Sequence, residues 1–287
     1  MPDIHVEEVH IESSTYCNAH CKFCLNSTLK RKGMMKFQLF KKIVDESVEL
    51  GCPVFTPWLV NEPLIFPYLW KWMEYFRKKK VKAIIFTNAG NLTDEIGDKL
   101  FDYEDIIHSI TISFMGIKKK IYEANMGLDF NRTKKNIYRF MERRDILEST
   151  IPVYINTFKD YVTKNAELVF LDLWKGLKFS GISPINKRHE WAGQNPDENS
   201  WIAQQRKAGT INRIACSRIM DQLDVFYDGT VPLCCMDAKG YARFGNVNEM
   251  SVKEIMENPL RQFYRDMHNE GRSDELPFCK DCDLTIG

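Results

Sequence analysis

The sequence contains no apolar run approaching the ~18 residues that a membrane-spanning helix needs. It has no excess of either charge: 40 Lys and Arg stand against 39 Asp and Glu, for a net charge of +1. That balance argues against a dedicated nucleic-acid binder, which carries a basic surplus. Gly (15) and Pro (11) are sparse among 287 residues, and no repeat or low-complexity tract is visible, which excludes collagen-like and disordered readings. Residues Met1 to Glu8 are acidic and lack the apolar stretch of an export signal. The expected compartment is therefore the cytoplasm, with neither a membrane nor a nucleic acid as partner. The length suits one large domain, or one domain with a small appendage.

Against this ordinary background stand nine cysteines. In a reducing compartment clustered thiols point to metal ligation or catalysis rather than disulfides, and an odd count fits a paired framework badly. Cys17, Cys21 and Cys24 fall within eight residues as CxxxCxxC. Three thiols on one loop hold an iron–sulfur cluster with one iron left without a protein ligand. The competing reading takes His20 as a fourth ligand for zinc, but His20 adjoins Cys21 and competes for the same geometry. A second set comprises Cys216, Cys234 eighteen positions later, and Cys279 with Cys282 as CxxC. By themselves these four fit a structural zinc as well as a cluster. Cys52, between a helix and an apolar strand, reads as a small buried residue. Cys235 is left over beside Cys234.

Residues 1 to 185 alternate apolar runs with helical patterns. Strands are expected at Val9 to Ser13, Val54 to Leu59, Val81 to Thr87, Ile106 to Phe114, Ile151 to Asn156 and Phe179 to Ser183. Amphipathic helices are expected at Lys36 to Leu50, Leu64 to Lys79, from Thr93 onward, over 118–122 and 131–143, and at Asn165 to Leu177. Such alternation predicts βαβ units and a parallel sheet. Residues 186–215 break the pattern and read as a linker or active-site loop. In 216–287, Asp224 to Cys234 reads as a hairpin turning at Asp228-Gly229. Ser251 with Glu254 forms a capping box, and Pro259 opens a last helix. The runs Lys78 to Lys80 and Lys118 to Lys120 read as solvated faces.

The CxxxCxxC loop after the first strand, with Phe23 before its last cysteine, resembles the signature of the radical S-adenosylmethionine (SAM) superfamily. The second set resembles a SPASM domain in its shortened "twitch" form. The resemblance implies a partial (β/α)6 TIM-like barrel with a small C-terminal α+β iron–sulfur domain, divided as 1–185, 186–215 and 216–287. It also implies two [4Fe–4S] clusters and SAM as cofactors. Cys17, Cys21 and Cys24 would hold the SAM cluster, and Cys216, Cys234, Cys279 and Cys282 the auxiliary one. Asn61-Glu62-Pro63 stands where the family has GGEP, near the SAM amino group, although an asparagine replaces the glycine. Thr87-Asn88 resembles a TNG step, and Ser113 the serine that contacts SAM; Asn156, after the fifth strand, is a further candidate, and Phe23 completes the cofactor set. Ser113-Phe-Met-Gly-Ile and Tyr122 to Gly127 also resemble the barrel of SPASM and twitch enzymes, with Met115 where an aspartate is frequent. His189 and Trp191, in the connecting loop, border the substrate in this reading.

The resemblance implies reductive cleavage of SAM to a 5′-deoxyadenosyl radical, which abstracts a hydrogen atom from substrate. The first expectation is a dehydrogenase that oxidises a carbinol of a sugar or aminocyclitol-like small molecule, with the auxiliary cluster as electron acceptor. A flavodoxin or ferredoxin would supply the electron for SAM cleavage. The alternatives are an epimerase with Cys235 returning the hydrogen, a peptide-modifying maturase, and, from another class, a zinc-binding interaction protein.

Overall fold

A computed structural model describes residues 4–158, 165–186, 190–196, 201–209 and 214–282. The first part runs β1 (Glu8–Ile11), α1 (Phe37–Glu49), β2 (Val54–Thr56), α2 (Leu69–Lys79), β3 (Lys82–Thr87), α3 (Asp94–Phe101), β4 (Ile107–Ser113), α4 (Lys119–Met126), α5 (Phe130–Ile146), β5 (Val153–Phe158), α6 (Ala166–Leu173) and β6 (Gly181–Asn186). Then come α7 (Trp201–Ala208), α8 (Ser217–Asp221), β7 (Gln222–Val225), β8 (Thr230–Pro232), β9 (Arg243–Asn246), α9 (Val252–Met256) and α10 (Pro259–Asn269). The fold is the expected α/β partial barrel with a small C-terminal part. No described helix is long and apolar enough to cross a membrane.

Local chemistry explains the element ends. β2 stops at Thr56 because Pro57 has no N–H to donate. α2 starts at Leu69 rather than Leu64 because Pro67 bars a continuous helix, leaving a 3-10 turn at Pro63–Ile65. The Thr93 hydroxyl accepts from the Ile96 N–H and starts α3. The Ser251/Glu254 capping box forms, and Pro259 occupies the first turn of α10.

The main sheet has seven parallel strands in the order β6-β5-β4-β3-β2-β1-β7. Six were expected; the seventh comes from the C-terminal segment. The turn at Asp228-Gly229 forms, with the Phe226 N–H donating to the Thr230 carbonyl and Gly229 at φ +88°. Its two arms do not pair with each other as a ladder: β7 joins β1, while β8 pairs antiparallel with β9. Without β7, β1 would be an open edge with unpaired backbone groups.

The two faces of the sheet differ in kind. Phe55 of β2 stacks on Phe76 of α2 at 5.2 Å, so Phe55 and its register partner Val9 face the helices. There Phe40 of α1 lies 3.9 Å from the ring of Trp72. Glu8, His10 and Thr56 therefore face inward, as do Gln222 and Asp224 across the β1–β7 pairing. One apolar core continues from the barrel into Phe244, Val252 and Ile255 of the C-terminal part.

Truncating Phe40 to Ala removes the centre of the α1–α2 contact. It is expected to lower unfolding free energy by about 3–5 kcal/mol, whereas Gln38→Ala on the exposed face shifts it by less than about 0.5 kcal/mol. Chemical denaturation of the purified variants measures both.

Candidate functional site

The loop after β1 is fixed before it can hold anything. Asn26 donates its amide to the Thr15 carbonyl at 2.9 Å and to the Val60 carbonyl at 2.7 Å, which ties the loop to the segment after β2. Glu12, fully buried, pairs with Arg31 at 2.6 Å. Arg31 stacks over Phe226 at 3.7 Å and donates to the Ala238 carbonyl, so the C-terminal part also anchors the loop.

Within this frame the three thiols receive donors. The Ala19 N–H points at Cys17 Sγ and the Asn26 N–H at Cys24 Sγ, each at 3.4 Å, and the Asn88 amide lies 3.7 Å from Cys17 Sγ. Burial pushes the Cys17 thiol up to about 12 and raises Cys21 and Cys24 too; the thiols would also repel one another once ionised. A bound cation reverses both penalties, because ligation removes the protons and neutralises the repulsion. The spacing tests what kind of centre fits. A single zinc, with Zn–S near 2.3 Å, draws thiolates to within roughly 4 Å of one another. Among the described residues, the only group of three or more potential ligands mutually within 4.8 Å is His10, Asp224 and Cys235. Neither cysteine set is drawn in that tightly, which suits a multi-atom cluster. His20 is exposed, and its Cβ lies against Gly127.

Glu62 sits at the centre of the adjoining network. Its carboxylate accepts from Thr87 Oγ1 at 2.6 Å, the Asn88 N–H at 2.8 Å and the Leu64 N–H at 3.2 Å. Burial nonetheless pushes it up to about 7. Asn88 also donates to Asn18 Oδ1 at 2.8 Å. Glu62, Thr87, Asn88 and Cys17 thus form one connected unit. Asn61 is drawn the other way: its amide donates to Ser13 Oγ at 2.9 Å, and its oxygen accepts from the Leu59 N–H. Ser113 ends β4 and is the register partner of Asn156, which lies within β5 rather than after it because the strand continues to Phe158; Asn156 Oδ1 is buried without a partner. Met115 is buried.

The second set gathers where α8, β8 and the last 3-10 turn meet. Cys216 precedes α8, Cys234 follows β8, and Cys279 and Cys282 share one turn, with the Cys282 N–H donating to the Cys279 carbonyl at 3.0 Å. Burial raises Cys234 well above the ordinary thiol range, and the nearby Cys235, Cys282 and Cys216 add to the effect.

Trp191 lies between the two sets. Its indole N–H donates to the Phe23 carbonyl at 2.8 Å. It packs against the cluster of Leu25, Leu29, Val60 and Ala238, and against that of Met236 and Cys282, which Cys234 and Cys235 also join. Gln194 donates to the Met236 carbonyl at 2.8 Å. Trp191 (φ +54°) and Ala192 (φ +50°) are left-handed, a conformation costing about 1–3 kcal/mol per non-glycine residue. His189 lies outside the described residues.

Sequence reasoning missed His10 and Asp224. His10 Nε2 lies 2.9 Å from Glu8 and Nδ1 3.0 Å from Asp224. The available signal was the alternation Glu8, His10, Glu12 in a strand of a parallel sheet, where both faces are ordinarily apolar.

The carboxyl of Glu62 titrates from 4.5 unfolded to about 7 folded. A folded-state value above the unfolded one gives stability that is present at low pH and lost as pH rises through 7. In cluster-free protein, the wild type is expected to lose about 2–3 kcal/mol relative to Glu62→Gln between pH 5 and pH 8. Denaturant titrations of both proteins at the two pH values measure this.

Residues 11–168 match the model of the radical SAM superfamily, and residues 216–283 match that of an iron–sulfur cluster-binding domain, SPASM. No curated protein matches the chain. Among solved structures it is similar to BtrN in complex with AdoMet and 2-DOIA, with 19% identity, 98% of this chain and 94% of that one covered, and a TM-score of 0.65. It is similar to Streptococcus suis SuiB bound to the precursor peptide SuiA, with 17% identity, 91% and 67% covered, and a TM-score of 0.69. It is also similar to anSMEcpe with bound AdoMet, with 18% identity, 98% and 91% covered, and a TM-score of 0.65. At these identities the likeness is one of fold. With a family match over more than half its length, the chain belongs to the radical SAM superfamily, whose cofactors are a [4Fe–4S] cluster and SAM, joined here by the auxiliary iron–sulfur cluster of a SPASM-type segment.

Proposed function

We propose that this enzyme is a dehydrogenase acting on a carbinol of a sugar or aminocyclitol-like small molecule. The observation that carries the reading is the second set, in which Cys279 and Cys282 are buried and Cys216 and Cys234 half-buried. Cys216, Cys234, Cys279 and Cys282 supply four thiols, which leave no iron open to bind substrate and so favour electron acceptance. When bound, SAM at the first cluster supplies hydrogen-atom abstraction, and the second cluster supplies a one-electron acceptor. Cys17, Cys21 and Cys24 hold the first centre, and Cys17 is steadied by Asn88.

Glu62 presents its remaining acceptor capacity to an ammonium group, and its burial strengthens that contact. Thr87 and Asn88 hold the Glu62 carboxylate in place. Ser113 at the end of β4 and the unpartnered oxygen of Asn156 within β5 offer polar contacts, which suits a hydroxylated ligand. Phe23 and Trp191 close the space between the two sets and exclude water. A flavodoxin or ferredoxin is the proposed electron donor.

A second reading, epimerisation with Cys235 as hydrogen donor, is favoured by one observation. Cys235 packs beside Cys234 against Met236 and Cys282, and its sulfur also meets His10 and Asp224 on the inner face of the sheet.

Anaerobically purified protein is expected to hold about eight irons per chain. Cys279→Ala is expected to fall to about four and to lose ketone formation while still releasing 5′-deoxyadenosine. Iron assay and mass spectrometry of products from a panel of polyols and aminocyclitols measure this. Zinc in place of iron in the wild type overturns the enzyme reading, and a product of unchanged mass but inverted configuration moves the assignment to the epimerase.

A further inference from the structure

His10 is a buried, fully partnered side chain that the proposed reaction does not yet use. It sits on β1, directly before the loop carrying the first cysteines, and is only 8% exposed. Thr56 of β2 donates to Glu8 Oε1 at 2.9 Å, and that oxygen meets His10 Nε2. On the other side Nδ1 meets Asp224 of β7, whose carboxylate Gln222 holds at 2.8 and 3.0 Å. A polar tie therefore crosses β2, β1 and β7 and leaves the imidazole no freedom to turn. The two carboxylates raise its pKa well above the usual histidine range despite burial. Both ring nitrogens are already engaged by carboxylates, so the proximity of His10, Asp224 and Cys235 is not read as a cation site.

Cys235 completes the arrangement. Its sulfur lies against His10, with the Arg218 guanidinium of α8 also facing it. The charged groups around the imidazole are Glu8 on its own strand, Asp224 on β7, Arg218 on α8 and Arg261 on α10; Arg261 donates to the Gln222 carbonyl at 2.6 Å. Cys234 and Cys235 both pack against Met236 and Cys282, and the sulfur of Cys235 also reaches His10 and Asp224 on the inner face of the sheet.

We propose that His10, locked between Glu8 and Asp224, is a positioning residue that fixes the sulfur of Cys235 at the inner face of the sheet. The role in turnover rests on the epimerase reading. There the S–H bond of Cys235 breaks and a C–H bond forms at the substrate radical, leaving a sulfur radical. One electron from the flavodoxin- or ferredoxin-class donor and one proton from solvent restore the thiol.

The test uses the cluster-loaded enzyme, in which seven cysteines are ligands and Cys52 is buried, so Cys235 is the thiol open to iodoacetamide. His10→Ala is expected to change the alkylation rate of Cys235, followed by peptide mass spectrometry, roughly ten- to hundred-fold. Solvent deuterium in the product per 5′-deoxyadenosine released is expected to fall by a similar factor. His10→Gln, which keeps a donor beside Asp224 but not the ring, carries the comparison if the alanine variant does not fold, and is expected to restore part of both signals where it does. Unchanged alkylation in both variants overturns the proposal. Cys235→Ser separates the two ideas: if it leaves the product and its deuterium content intact, the epimerase reading fails, while a shifted alkylation rate in the His10 variants still upholds the positioning role.

Discussion

The pairing of β1 with β7 is the contact on which the rest of the molecule depends. β1 carries the first cysteine loop, and β7 arrives from more than two hundred residues away. Their register sets His10 beside Asp224, so a buried ion pair forms inside the sheet. Breaking such a pair from one side strands an uncompensated charge and costs about 3–5 kcal/mol. The Glu12–Arg31 pair extends the same join upward, because Arg31 reaches both Phe226 and the Ala238 carbonyl. The barrel and its C-terminal part are therefore one mechanical object, and the two cysteine sets keep a fixed relation through it.

Electrostatics then explains why the thiol loops need their cofactors. Burial pushes the Cys17, Cys21, Cys24 and Cys234 thiols toward the neutral form, and neighbouring cysteines add to this at Cys17, Cys21 and Cys234. The N–H groups of Ala19 and Asn26 and the Asn88 amide are already aimed at sulfur. These donors favour thiolate, burial opposes it, and a metal centre resolves the conflict. Glu62 shows the same tension on the substrate side, with three donors gathered around a carboxyl that burial holds near neutrality.

Features that depend on near neighbours were legible in the sequence. The cysteine spacings, the Thr93 and Ser251 caps and the six β/α alternations are set by residues a few positions apart. Features that depend on distant partners were not. Asp224 and Val225 read as the start of a local hairpin because nothing local reveals β1 as the partner of their strand. Pro67 was present in the sequence, yet the helical pattern of Leu64 to Lys79 concealed its effect. Asn61 and Glu62 read as one motif, although tertiary contacts turn their side chains in opposite directions. His10 stood in plain view, and only the inward face of β1 gives it meaning.

The strap at Trp191 has a consequence for biosynthesis. Its indole caps the Phe23 carbonyl, but it also packs against the cluster of Met236 and Cys282, which leave the ribosome much later. A chain that emerges from its N-terminus thus has the Phe23 side of this contact long before the Met236 and Cys282 side. The left-handed backbone at Trp191 and Ala192 has no packing to sustain it until the last turn is made. The strap therefore reaches its packed position only once residues 236 to 282 have been made.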